Sequence, residues 1–125
     1  MTHEEIEYWA HAYIQAQIDP KRLQAGYPLW WAIERFMPVV SKVDTEDCWL
    51  CILEILRLSP SEEVLAVLAA GPLEDLIDDH GPVFIDRVET ESRRSPAFRH
   101  LLGGVWNSST PEIWARVEKA QGALW

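Results

Sequence analysis

The chain has 125 residues, of which 48% are hydrophobic and 25% charged, and its formal net charge is −9. A chain of this size and composition can bury a real core without disulfides or a metal, and it is too apolar for wholesale disorder. The acidic balance argues against a direct nucleic-acid or anionic-lipid binder, because those phosphates need Lys and Arg.

The charge is unevenly spread. Residues 44–91 hold 13 acids against two bases, Arg57 and Arg87, while the remainder carries 7 acids and 9 bases. An acidic middle of this kind suits a basic protein partner. No apolar run approaches the ~18 residues of a membrane span. The N-terminal "MTHEEIEYW" is acidic where a secretion signal would be basic. Two cysteines are few for a secreted domain, so the expected compartment is the cytoplasm.

In chain order the sequence predicts helices over roughly 3–18, 28–41, 45–58, 60–70, 72–80, 82–94, 96–103 and 111–121, with a short helical turn near 20–25. Proline punctuates them regularly, in Asp19-Pro20, Ser59-Pro60, Gly71-Pro72, Gly81-Pro82, Ser95-Pro96 and Thr110-Pro111. At the first helical position proline loses nothing, since its missing N–H would be unpaired there. Thr2 with Glu5 and Ser59 with Glu62 have capping-box spacing. Gly71, Gly81 and Gly122 suit left-handed helix ends.

Ile6, Trp9, Tyr13 and Ile14 define one face of the first helix. In "YPLWWAIERFMPVV", Trp30, Ile33 and Met37 repeat similarly, Glu34 and Arg35 are free to point outward, and Pro38 should end the helix near 35–37. The segment "TEDCWLCILEILRL" is apolar nearly all round and reads as a buried central helix. No alternating strand pattern, hairpin signal or clear repeat is present, although the two Gly-Pro helices suggest stacked helical pairs.

Motifs that carry chemistry are sparse. Cys48-Trp49-Leu50-Cys51 is a C-x-x-C, but it lies inside an apolar helix without the strand-to-helix context of a redox motif, and no second cysteine pair completes a metal site. Both thiols are expected to be buried and reduced. His3, Glu7 and His11 form a stripe on the first helix, best read as a solvated face. Nucleotide-binding and hydrolase signatures are missing, and Gly103-Gly104 reads as a helix end. No metal or cofactor is therefore expected.

The stretch "AAGPLEDLIDDHGPVFID", residues 69–86, holds the candidate site. Leu73, Leu76 and Ile77 would form the buried side of a short helix, with Glu74, Asp75, Asp78 and Asp79 on the other. Glu74 and Asp75 lie in its first turn, where the helix dipole favours them; Asp78 and Asp79 lie in its last, where it does not. Two readings compete. In one, the next helix, starting at Pro82, aims its positive end back at these acids and the corner is architecture. In the other, the four acids are held exposed for a basic partner. If the corner is architecture, attention moves to the aromatic surface and to the basic group Arg93, Arg94, Arg99 and His100.

These residues also carry a resemblance. "LAAGPLEDLIDDHGPVFIDRVE", followed by "FRHLLGGVW" and "IWARVE", resembles a family of small bacterial proteins described only as a domain of unknown function. The resemblance covers roughly residues 48–118, within a family-like region of 44–121, and leaves the N-terminal helices of 1–43 unmatched. It implies a bacterial or phage source and a helical domain, and no activity, substrate or cofactor.

The expected fold is all-α, a single compact domain of about seven to eight short helices. The expected function is a non-enzymatic protein-binding module. Glu74, Asp75, Asp78 and Asp79 would engage a basic protein partner, such as a toxin or a nucleic-acid-handling enzyme, and neutralise or regulate it. Two other classes are a small metal-dependent hydrolase using the acidic cluster with His80 or His100, and a structural homodimer built on Trp30, Trp31 or Trp125.

Overall fold

The structure, a computed structural model, describes residues 1–38 and 41–122. All its regular elements are helical, with no strand among the described residues. They are α1 (His3–Ile18), α2 (Trp30–Glu34), α3 (Thr45–Arg57), α4 (Glu62–Leu68), a π-helical turn (Ala69–Leu73), α5 (Glu74–Arg94), α6 (Pro96–Leu102) and α7 (Pro111–Ala120). The chain divides into two compact units, Met1–Val64 and Leu65–Trp125.

In the first unit, α1 opens with the expected capping box. Thr2 Oγ1 accepts the Glu5 N–H at 3.1 Å and Glu5 Oε1 accepts the Thr2 N–H at 2.9 Å, contacts that stabilise a helix start by about 1 kcal/mol. α1 packs on α2 and α3. Its Trp9 is fully buried, and the indole N–H donates to the Ala32 carbonyl at 2.9 Å. That bond meets the polar requirement of a buried indole and pins α2 onto α1.

The sequence over 28–41 folds differently from the expectation. Helix is confined to Trp30–Glu34 and ends ahead of Pro38, leaving Met37 exposed. Residues 39–40 of that stretch lie outside the described residues. Arg35 does not point outward: its guanidinium lies 5.2 Å from the Trp9 ring centre and 4.4 Å from that of Trp31. Trp31 in turn stacks on Tyr8 at 5.6 Å. Trp30 and Trp31 are half-buried rather than exposed, and Trp125 lies outside the described residues. Residues 20–26 form turns closed by bonds three residues apart, not an α-helix after Pro20.

α3 is amphipathic rather than buried all round. Trp49, Cys51, Ile52 and Ile55 are buried, while Leu50 and Arg57 face solvent. Glu54 is buried too, and the Arg57 guanidinium that grips it at 2.7 Å holds its carboxyl below the usual range. Cys48 is half-buried and Cys51 fully so, both as free thiols.

Ser59 and Pro60 do not start the next helix. Ser59 takes a positive φ of 52°, and α4 begins three residues later, at Glu62, with Ser61 Oγ accepting the Val64 N–H at 3.4 Å. The cap is used, shifted by one serine.

The two Gly-Pro pairs behave differently. Gly71-Pro72 does not end a helix, whereas the helix breaks at His80, just ahead of Gly81-Pro82. Neither Gly71 nor Gly81 takes a left-handed conformation; of the described glycines Gly26 alone does. α4 runs through the π turn into α5 and on as far as His80. Pro72 cannot donate to the carbonyl four residues back, so the backbone widens by one residue, and the Glu74 N–H reaches back to the Ala69 carbonyl. Pro82 causes a second irregularity. It leaves the Asp78 carbonyl without its helical donor, and α5 bends where His80 adopts φ −135°, ψ 25°.

In the second unit, α5 packs on the π turn, α6 and α7. Leu73, Phe84, Val88, Phe98, Leu101 and Val117 are among its fully buried side chains. α6 and α7 begin as expected: Ser95 and Thr110 accept from Phe98 and Ile113, each with proline at the first helical position. No helix among the described residues is long and apolar enough to cross a membrane.

Candidate functional site

The four acids of the candidate site sit on the first turns of α5, before its bend. Spaced at i, i+1, i+4 and i+5, they share one stripe of the helix. They are not alike. Asp78 and Asp79 are exposed, whereas Glu74 and Asp75 are half-buried. Burial pushes the Asp75 carboxyl above its ordinary range, and the charges of Asp79, Glu74 and Asp78 push it further in that order. The cluster therefore acts on itself, which marks it as a true concentration of negative charge.

Glu74 has a structural partner that the sequence did not reveal. Its Oε1 accepts the backbone N–H of Trp106 at 2.9 Å, across 32 residues of chain. Trp106 follows Gly103-Gly104-Val105 at the end of α6, and Val105 is buried beside it in sequence. Anchored on both counts, the Trp106 side chain is nonetheless 77% exposed. Large aromatics are normally sheltered, whereas this indole is exposed on a residue whose backbone is tied to the first acid of the stripe.

The geometry assumed for Asp78 and Asp79 is present: the helix breaks at His80, both residues lie in the last turn before that break, facing solvent, and a second helical run follows to Arg94. The architectural reading of the corner draws on other atoms too: Glu74 ties down the α6–α7 loop, and Gly81 lets α7 approach α5.

The remaining candidates are placed as follows. His80 and His100 are exposed, His80 at the bend of α5 and His100 on α6. Among the described residues, no group of three or more His, Cys, Asp or Glu is arranged to hold a metal ion. His3 meets Glu7 at 2.8 Å on the exposed side of α1, and His11 is exposed one turn on. Further along α5, Asp86 and Glu89 converge on Arg116 of α7: its Nε meets Glu89 at 3.0 Å and its Nη2 meets Asp86 and Glu89 at 2.5 Å each. Beyond the bend α5 itself carries three acids, Asp86, Glu89 and Glu91, against three bases, Arg87, Arg93 and Arg94, so its excess negative charge lies at 74–79.

A model of a family of unknown function, DUF6869, matches residues 19–124. The chain belongs to that family. The DUF6869 match begins upstream of the 48–118 segment on which the sequence resemblance rests, and so takes in α2 and the turns before it. No curated protein and no solved structure matches the chain.

Proposed function

We propose that this protein is a non-enzymatic binding module that captures a basic protein through the acidic face of α5, with Trp106 as the central anchor. The observation that carries the reading is the Glu74–Trp106 hydrogen bond, which ties a residue with an exposed indole to the first acid of the stripe that Asp75, Asp78 and Asp79 continue. Tryptophans are over-represented among residues whose truncation costs an interface ~2 kcal/mol or more, and charged groups around them steer approach and set salt dependence. A partner with an apolar slot rimmed by Lys or Arg fits this surface. Toxins and nucleic-acid-handling enzymes are basic because their targets are phosphates, which makes them the class of partner favoured by charge.

The test is site-specific crosslinking. A photoreactive phenylalanine analogue replaces Trp106, and the protein is irradiated in cells of the native host. The reading expects one dominant crosslinked protein of basic isoelectric point, and its yield should fall when Asp78 and Asp79 are changed together to Asn. A crosslink to an acidic protein, or equal yield from the double variant, would overturn it.

A further inference from the structure

A second surface of the same unit has the opposite charge. An open concavity of about 340 Å³ lies among α5, α6 and α7, with Glu89, Ser92, Arg93, Arg99, Lys119 and Gln121 on its walls. Three of these six are cations. The one carboxylate among them, Glu89, has both oxygens engaged by Arg116. In a chain of net charge −9, a hollow lined by three bases and one neutralised acid stands apart.

Helix dipoles account for part of this. Arg93, Arg99 and Lys119 each lie in the last turn of their helix, where a cation is favoured without any ligand. The dipoles do not explain why three helices aim those turns at one concavity. They also do not explain Ser92. That residue is 3% exposed, it lines the hollow, and its Oγ has no hydrogen-bond partner among the described residues. A buried hydroxyl without a partner is a cost that folded proteins rarely leave in place. The neighbouring donors are partly committed: Arg99 Nη1 gives one bond to the Ser92 carbonyl at 3.1 Å, Arg93 Nη2 gives one to Thr90 Oγ1 at 3.5 Å, and Gln121 Nε2 gives one to the Leu102 carbonyl at 3.0 Å. The rest of the Arg99 and Arg93 forks, Lys119 and the Ser92 hydroxyl remain as donors among the residues that line the hollow.

We propose that this concavity binds a phosphate dianion, either free or as the terminal group of a small phosphomonoester. Guanidinium forks match the spacing of phosphate oxygens, an ammonium adds a point charge, and a hydroxyl donates to a third oxygen. The volume exceeds that of the anion alone, which leaves room for a small organic group on its ester oxygen. The site uses none of the residues of the acidic face, so it stands or falls independently of the partner-binding reading.

The experiment is an amide chemical-shift titration of the full chain at constant ionic strength, with inorganic phosphate, glucose 6-phosphate and chloride as probes. Saturable shifts centred on residues 89–99 and 119–121 are expected with either phosphate and not with chloride. Tighter binding of the sugar phosphate would assign the site to an ester, and equal or tighter binding of inorganic phosphate would assign it to the free anion. Lys119→Gln, on an exposed side chain that leaves the fold intact, should weaken binding about tenfold, and Ser92→Ala about fivefold, with helical circular dichroism unchanged. Asp78→Asn with Asp79→Asn should leave the titration as it was. Non-saturating shifts, shifts reproduced by chloride, or wild-type affinity in both Lys119→Gln and Ser92→Ala would overturn the site.

Discussion

Gly81 and Ile113 meet closely: a Cβ on Gly81 would stand 3.0 Å from Ile113 Cγ2 and 3.3 Å from Cγ1, so Ile113 would have to give by a few tenths of an ångström. The glycine eases the approach of α7 to the bend of α5 and does not make a left-handed turn. Gly81→Ala gains up to ~1 kcal/mol of helix propensity. It should lose more through overpacking, which costs ~1–3 kcal/mol in a filled core. Urea titration should show net destabilisation. In an Ile113→Ala background, where both crowding atoms are gone, the same substitution should become neutral or stabilising. A destabilisation of equal size in both backgrounds would rule out the steric account.

This contact also shows what the sequence could and could not reveal. Ser95-Pro96 and Thr110-Pro111 were legible because a side-chain cap and a proline suffice to start a helix locally. Gly71-Pro72 has the same local grammar and the opposite outcome, while ahead of Gly81-Pro82 the helix does break, at His80. A proline at the start of a new helix and one inside a helical run both lack only one N–H. Which of the two forms depends on distant packing, here the burial of Ala69 and Leu73 at the two ends of the π turn. The acidic cluster was legible from composition. Its anchor was not, because nothing in the local sequence ties Glu74 to an amide 32 residues away. A signal did exist in the Gly-Gly-Val-Trp string, since a tryptophan after a helix-ending glycine pair has few ways to be buried.

Asp75 should make stability depend on pH in a direction unusual for a carboxylate. Burial and three neighbouring acids raise its folded pKa above the unfolded value. Between the unfolded pKa, about 3.9, and that higher folded value, the native state keeps a proton that the unfolded chain releases. Its contribution is therefore fully present at low pH and lost as pH rises through the window. Asp75→Asn should raise the melting temperature at pH 7 and have little effect at pH 3.5. Melting curves at the two pH values decide the matter, and a loss of stability at pH 7 would refute it.

Glu89 should act with the opposite sign. The Arg116 guanidinium holds its carboxyl below the usual range. Its contribution is present above the unfolded pKa, about 4.3, and is lost as pH falls through the lower folded value. Arg116→Gln should therefore flatten the acid limb of the stability profile below about pH 4.5. At neutral pH the change should be small, because the pair is partly open to solvent. An unchanged acid limb would show that the ion pair contributes nothing.

The thiols of α3 should be sluggish. Burial, followed by the charges of Asp47 and Asp44, pushes Cys48 up to about 11, and burial pushes Cys51 higher still. At pH 8 roughly one Cys48 in a thousand is then thiolate, and the thiolate is the reacting form. A disulfide reagent should label the native protein slowly, Cys48 ahead of Cys51, and label both at once in denaturant. Stability should also fall as pH rises past about 8.5, where unfolded thiols ionise and folded ones do not. Rapid native labelling of Cys51 would contradict its burial.

The acidic face yields the sharpest contrast, because its residues divide into those that hold the fold and those that do not. Asp78 and Asp79 are exposed in the last turn before the break at His80. Changing both to Asn relieves i,i+4 repulsion with Glu74 and Asp75, about 0.2–0.5 kcal/mol per pair, and removes no bond that the fold uses. Stability should hold or rise slightly. Trp106→Ala should also be tolerated, since the bond to Glu74 is made by the backbone N–H and not by the indole. Both variants should nevertheless weaken capture of the basic partner, the tryptophan by an amount that added salt does not change and the aspartates by one that it does. Glu74→Ala should behave differently. It leaves the Trp106 amide, which lies at the surface, without its charged acceptor, lowers stability by ~0.5–1.5 kcal/mol and frees the loop that presents the indole. Binding should then fall together with stability, whereas Glu74→Gln, which keeps an acceptor oxygen, should restore much of both. Denaturant curves alongside affinities for the four variants separate the roles: if the Asp78/Asp79 double variant unfolds as readily as Glu74→Ala, those two carboxylates are structural and the acidic face is not a docking surface.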